Sequence, residues 1–170
     1  MDLYDLTVPQ FSKMLRNLDR WLEAGATYAS TKKFEANELA TQRLAPDMYP
    51  LTKQVQSACD TAKFTCAYLT GKEAPSHPDN EKTMDELRAR VRTVLGHLET
   101  FKREDFVGAA DRKVTPKWLG GKWMTAGDYV VQAGLPNFYF HVTTAYNILR
   151  NSGVDTLGKQ VFMGQLPIRD

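Results

Sequence analysis

The sequence predicts an all-α domain, residues 1–170, built around four main helices. Three observations lead there. Apolar residues recur at spacings of three and four in four long segments. Capping residues, Gly or Pro bound those segments. No composition shift, repeat or low-complexity tract divides the 170 residues, about the length of one domain. The 42% hydrophobic and 25% charged composition is that of an ordinary globular chain. A chain this long buries roughly 68–70% of its unfolded surface, so its core needs neither metal nor disulfide. Twenty-two Lys+Arg against 20 Asp+Glu leave a net charge of +2, which calls for no nucleic-acid or membrane partner.

The first helix is announced by Thr7-Val8-Pro9-Gln10, with Thr7 as cap and Pro9 in the first turn. Phe11, Met14, Leu15, Leu18, Trp21 and Leu22 form its apolar stripe, which fades by about Tyr28. The connection from Ser30 to Pro46 holds a short helical turn at Glu38-Leu39-Ala40. Asp47 precedes the second helix, with Pro50 in its first turn and Leu51, Val55, Ala58, Cys59, Ala62, Cys66 and Leu69 as its stripe. Gly71 stands where a left-handed cap belongs. A polar loop, Ala74 to Asn80, leads to a third helix opened by the capping box Thr83-Met84-Asp85-Glu86. Leu87, Val91, Val94, Leu95, Leu98 and Phe101 form its stripe, with Arg88, Arg90 and Arg92 on a solvated face. Between the third and fourth helices, Lys113-Val114-Thr115 and Lys122-Trp123-Met124 flank Gly120-Gly121, a small β-hairpin closed by the diglycine. The last helical region, Ala126 to Asn151, is expected to kink or break at Gly134-Leu135-Pro136, because Pro136 lacks a donor and disfavours helix before it. The tail from Val154 has no sustained period.

The N-terminus is acidic and polar, unlike a secretory signal, and no stretch is apolar enough to span a bilayer. Cys59 and Cys66, seven apart on one helix, would have Cα atoms about 10 Å apart, too far for a disulfide. They are expected to be buried reduced thiols, and the location cytoplasmic.

Imidazole chemistry must draw on three histidines. His77 falls in the polar loop and is expected to be exposed and idle. His97 lies roughly 100° from the centre of the third helix's stripe, a flank position. His141 falls about 70° from the centre of the stripe set by Phe138, Val142, Ala145 and Leu149, so it faces the bundle or a pocket within it. Both a satisfied core histidine and a functional one fit that position. Tyr139, Thr143, Thr144 and Tyr146 crowd it with hydroxyls. No helical His-x-x-x-His, Cys-x-x-Cys, phosphate loop or nucleophile elbow occurs.

Two segments, Arg43-Leu44-Ala45-Pro46-Asp47-Met48-Tyr49-Pro50-Leu51 and Leu135-Pro136-Asn137-Phe138-Tyr139-Phe140-His141-Val142-Thr143-Thr144-Ala145-Tyr146-Asn147-Ile148-Leu149-Arg150, carry a resemblance. With Gly153-Val154 and Phe162-Met163-Gly164 they resemble an uncharacterised domain-of-unknown-function family grouped with the DinB/YfiT-like metalloenzymes. The resemblance implies an up-down-down-up four-helix bundle, often a homodimer. Metal-binding members of that superfamily hold a divalent metal with one histidine on the second helix and a His-x-x-x-His pair on the last, and some are thiol-dependent transferases. Here His141 matches the first histidine of the pair, while Ala145 stands at the second. The second helix has no histidine; Gln54 and Gln56 are its nearest polar candidates. The resemblance thus implies a bundle that keeps the superfamily pocket and has lost its usual metal, with no cofactor.

Three functions follow as expectations. The first is a small-molecule site beside His141, with Asp47, Gln54, Tyr139 and Thr144 as ligand-binding residues. The second is an enzyme, such as an isomerase, dehydratase or thiol-dependent transferase, with His141 as general acid or base and Tyr146 or Tyr139 as donor. The third is a structural dimerisation domain.

Overall fold

Asp2 opens the first helix, α1 (Leu3–Lys32), in a reciprocal cap: its carboxylate accepts from the Asp5 N–H and Asp5 accepts from the Asp2 N–H. In this computed structural model, which describes residues 1–169, the helix therefore begins upstream of the expected Thr7 cap. Thr7 is buried inside it and donates to the Leu3 carbonyl. The helix also runs past Tyr28, because Ala29 is still buried, and stops at Lys33 in the left-handed region (φ 61).

A 3-10 turn, Ala36–Thr41, is the short turn expected there. α2 (Leu51–Thr70) follows Asp47 as expected, but Pro50 is its N-cap and not a residue of its first turn. Gly71 closes α2 with φ 75, as expected. α3 (Met84–Leu98) carries the Thr83–Glu86 capping box. Its Leu95 is only half-buried, at the edge of the stripe, while Val94 and Leu98 are fully buried. β1 (Lys113–Val114) and β2 (Met124–Thr125) pair antiparallel, Lys113 opposite Thr125. The hairpin is present, but a loop containing a 3-10 turn at Lys117–Leu119 closes it, not the diglycine alone. α4 (Ala126–Tyr129), a π-helical turn (Val130–Gly134) and α5 (Leu135–Asn151) follow without an intervening loop. Pro136 sits in the first turn of α5 and has no N–H for the preceding turn, and the widened π turn accommodates that loss without a break. A short α6 (Lys159–Met163) ends the tail.

Side-chain contacts fix the helix directions. Arg16 meets Glu99 while Glu23 meets Arg88, so α1 and α3 are antiparallel. Phe11 packs on Phe138 and Trp21 on Tyr146, so α1 and α5 are parallel. Gln54 meets His141 and Thr61 meets Asn137, so α2 and α5 are antiparallel. The bundle is up-down-down-up. Parallel α2 and α3 require a connection that returns the length of the bundle. α2 is about 30 Å long, and the residues from Gly71 to Thr83 reach that far when extended.

One apolar cluster runs through the bundle, centred on Phe11, Leu15, Trp21, Leu51, Leu87 and Phe138, all fully buried. Cys59 and Cys66 are free and buried in it, and burial pushes both thiols up to about 12. The tail docks on α1: Phe162 stacks on Trp21 at 5.2 Å and its carbonyl accepts from Asn17. Among the described residues, no helix is long and apolar enough to cross a membrane.

Candidate functional site in the α2–α5 cleft

α2 and α5 face each other over polar side chains that could not be buried without partners. His141, on α5, is 8% exposed and its Nδ1 lies 2.7 Å from Gln54 Oε1 on α2. The Gln54 amide has one orientation available, because its Nε2 donates to the Tyr49 carbonyl at 3.2 Å, and a carbonyl only accepts. Oε1 therefore faces His141 as an acceptor, and Nδ1 must carry a proton. In the neutral ring that leaves the lone pair on Nε2, which has no hydrogen-bond partner among the described residues. Burial, and then the positive charge of Lys53, hold His141 below its ordinary value of 6.5, so the ring is neutral at pH 7.

His141 lines two cavities. An outer one of about 260 Å³ is lined by Asp47, Met48, Tyr49, Gln54 and Phe140. An inner one of about 240 Å³ is lined by Ser57, Asp60, Thr61 and Asn137 on its polar side, and by Phe64, Tyr68, Tyr129 and Trp118 on its aromatic side. Trp118 arrives from the hairpin loop and also walls a groove of about 680 Å³ that shares Tyr129 and Asn137 with the inner cavity. Asn137 is oriented by donating to Thr61 Oγ1 at 2.7 Å.

Asp60 connects the inner cavity to a buried charge network. Its Oδ1 meets both Lys63 Nζ (2.7 Å) and Arg90 Nη2 (2.6 Å), while Oδ2 has no partner among the described residues. Arg90 also binds Asp79 and Glu81, Lys53 binds Asp79, and Gln56 donates to Glu81. Lys63 Nζ, itself buried, donates to His77 Nδ1. Two sequence expectations are corrected here. Arg90 is not on a solvated face but almost wholly buried, because three carboxylates surround it. His77 is not idle in an exposed loop: it is half-buried and pairs with Lys63.

Of the residues singled out from the sequence, Asp47, Gln54 and His141 are brought together at one cavity. The other three are not. The Tyr146 hydroxyl donates to the Leu157 carbonyl at 2.6 Å and its ring packs on Trp21 and Phe162, so it holds the tail. Thr144 is buried and donates to the Phe140 carbonyl of its own helix. Tyr139 packs edge-on to Phe138 and lines neither His141 cavity. Sequence reasoning missed Asp60, Thr61, Trp118 and Tyr129, and did not single out Asn137 as a site residue. Asp60 and Lys63 at an i, i+3 spacing were the available signal for the first.

The donor set around His141 does not fit a three-histidine metal. His141 is the sole imidazole lining either cavity, its Nδ1 is committed to Gln54, and the other polar side chains there are amides, hydroxyls and one carboxylate in each cavity, Asp47 in the outer and Asp60 in the inner. Among the described residues, no group of three or more His, Cys, Asp or Glu is placed to hold a metal ion.

The family described as "Domain of unknown function (DUF1993)" matches residues 3–163, nearly the whole chain. The chain belongs to this family. A solved structure of a DinB family member protein from Shewanella denitrificans is similar to this DUF1993 chain, with 45% identity over 99% of this chain and 95% of that one, and a TM-score of 0.94. No curated protein matches the chain.

Proposed function

We propose that this DUF1993 protein binds a small organic molecule in the α2–α5 cleft, and that His141 Nε2 is the group that meets it without a bound metal. One observation carries the reading: the relay from the Tyr49 carbonyl through Gln54 to His141, which fixes the ring tautomer and leaves an unprotonated nitrogen on a ring that lines two cavities. A core histidine would have both nitrogens satisfied; this one has a single partner. Asp47 and Gln54 contribute from the outer cavity, and Asn137, Thr61 and Asp60 from the inner one. Around them, aromatic walls supply the apolar contact that small-molecule sites use.

The same tautomer supports a second reading, an enzyme in which His141 removes a proton from the bound molecule. A neutral imidazole with a free lone pair near pH 7 is a competent general base. Isomerisation or dehydration of a molecule with an acidic C–H fits that chemistry, with Asn137 or Thr61 near the bond that changes.

The test is a nuclear magnetic resonance screen of small organic acids, alcohols and amines, read at the His141 ring signals of untagged protein. Saturable shifts of those signals are expected for at least one class. A screen in which none responds overturns the reading, and stoichiometric zinc, nickel or iron in protein purified without chelator overturns its metal-free part.

A further inference from the structure

A third cavity, of about 460 Å³, lies between the last turns of α2 and the hairpin, and its charge is of one sign. Lys72, Arg112, Lys113 and Lys117 line it, and no Asp or Glu does. Lys72 is paired with Asp105. Arg112, Lys113 and Lys117 make no salt bridge among the described residues. Lys113 Nζ rests 4.7 Å from the centroid of Trp123, a contact that positions the ammonium without neutralising it.

One feature opposes an anion here: the C-terminal end of α2, worth roughly half a negative charge. The Arg112 guanidinium is pressed against that end, its Nη1 2.8 Å from where a Cβ on Gly71 would stand. Arg112 offsets the helix end, and Lys113 and Lys117 remain unopposed. Beside them lie Phe64 and Tyr68, stacked at 6.3 Å and 23°. The same two rings line the inner cavity at His141, so the chambers share an aromatic wall.

We propose that the hairpin cavity is the subsite for the oxyanion, carboxylate or phosphate, of a small organic acid whose apolar body lies over Phe64 and Tyr68 toward His141. The inference rests on the reading of the α2–α5 cleft as a small-molecule site and names the substrate class, yet the oxyanion contact needs only the hairpin residues. The cations are exposed, so the contact is weak and salt-sensitive: raising ionic strength from about 0.01 to about 0.15 M shortens the screening length from about 30 to about 8 Å.

The experiment titrates the ¹⁵N-labelled full chain with phenyl phosphate, benzoate and neutral phenol, and separately with phosphatidylglycerol vesicles. Both acids are expected to shift the amides of Gly71, Lys72 and Arg112 to Lys117 saturably, and phenol to leave the hairpin unmoved. In a Lys113→Gln/Lys117→Gln variant, whose two changes are exposed and whose thermal midpoint is measured beside the parent's, Kd is expected to rise about fivefold. His141→Gln is expected to keep the hairpin response, so a failure at His141 and a failure of this subsite are read apart. The proposal is overturned if neither acid gives a saturable hairpin shift, if the double variant binds like the parent, or if the hairpin responds to the vesicles alone.

Discussion

Lys63 Nζ lies 2.7 Å from His77 Nδ1, an ammonium donating to the lone pair of a neutral imidazole. Around the pair stand Asp60 and Arg90, and together they hold the returning α2–α3 connection against α2. His77, Asp79 and Glu81 face inward while Ser76, Pro78 and Asn80 are exposed, so alternate residues reach Lys63, Lys53, Gln56 and Arg90. The long crossover that parallel α2 and α3 demand is thus held by charge.

That pairing sets a pH dependence. Burial, followed by Arg90 and Lys63, holds His77 below its ordinary 6.5. The unfolded chain therefore takes up this proton at higher pH than the folded chain. Stability is full above pH 6.5 and falls as the pH drops below it. His97 and His141 shift the same way, burial being the first cause of each. The carboxylates whose values are lowered, Asp5 to about 2 among them, lose their contribution only further into acid. Between pH 7.5 and 5.5 the thermal midpoint is expected to drop, and to drop less in His77→Gln, whose amide oxygen can still accept from Lys63. Equal drops in the two proteins would remove His77 from the account.

Arg90→Met tests the network at its centre. The Arg90 side chain is 1% exposed, and removing it leaves Asp60, Asp79 and Glu81 facing one another. Breaking a buried pair from one side costs about 3–5 kcal/mol. The low end, about 3 kcal/mol, is expected because Asp60 and Asp79 keep side-chain exposures of 29% and 27%. Arg92→Met, at a side chain 59% exposed, is expected to cost under about 1 kcal/mol. Urea unfolding compares the two, and similar midpoints would contradict the burial argument.

Arg90 also shows what the sequence could and could not convey. It stands three residues after Leu87 and four before Val94, so it shares their buried face, a signal that its charge masked in a reading of residue type. The four helices, the α3 capping box and the Gly71 cap were legible because each is local. His141 was legible as inward-facing for the same reason. Its partner Gln54 is 87 residues away, and no local period reports that. Tyr139, Thr144 and Tyr146 looked like site residues by proximity in sequence. At 100° per residue, Tyr139 and Tyr146 point well away from His141, and the Thr144 hydroxyl is spent on its own helix. The cavities combine α2, α5 and a hairpin loop, and that juxtaposition exists only after folding.

Gln54→Glu probes the relay to His141. A carboxylate 2.7 Å from Nδ1 stabilises the imidazolium, whereas the amide does not. The His141 titration, followed by its ring proton signals, is expected below 6.5 in the parent and at least about one unit higher in the variant. An unmoved titration would mean that Gln54 does not face the ring in solution.

A tight contact between α2 and the π turn gives the last expectation. A Cβ on Gly134 would come 3.0 Å from Thr65 Oγ1 and 3.2 Å from its Cγ2, and both residues are buried. Alanine in place of glycine gains up to about 1 kcal/mol of helix propensity, while overpacking a tight contact costs about 1–3 kcal/mol. Overpacking wins, so Gly134→Ala is expected to lower stability by about 1 kcal/mol. Thr65→Ala removes both atoms that the new methyl would meet. In the double variant the alanine at 134 should therefore be neutral or stabilising, giving a favourable coupling of about 1 kcal/mol in the mutant cycle. Additive effects in urea unfolding would show that the helices separate to admit the methyl, and that the spacing at Gly134 is not what positions Asn137 and His141 one and two turns further along α5.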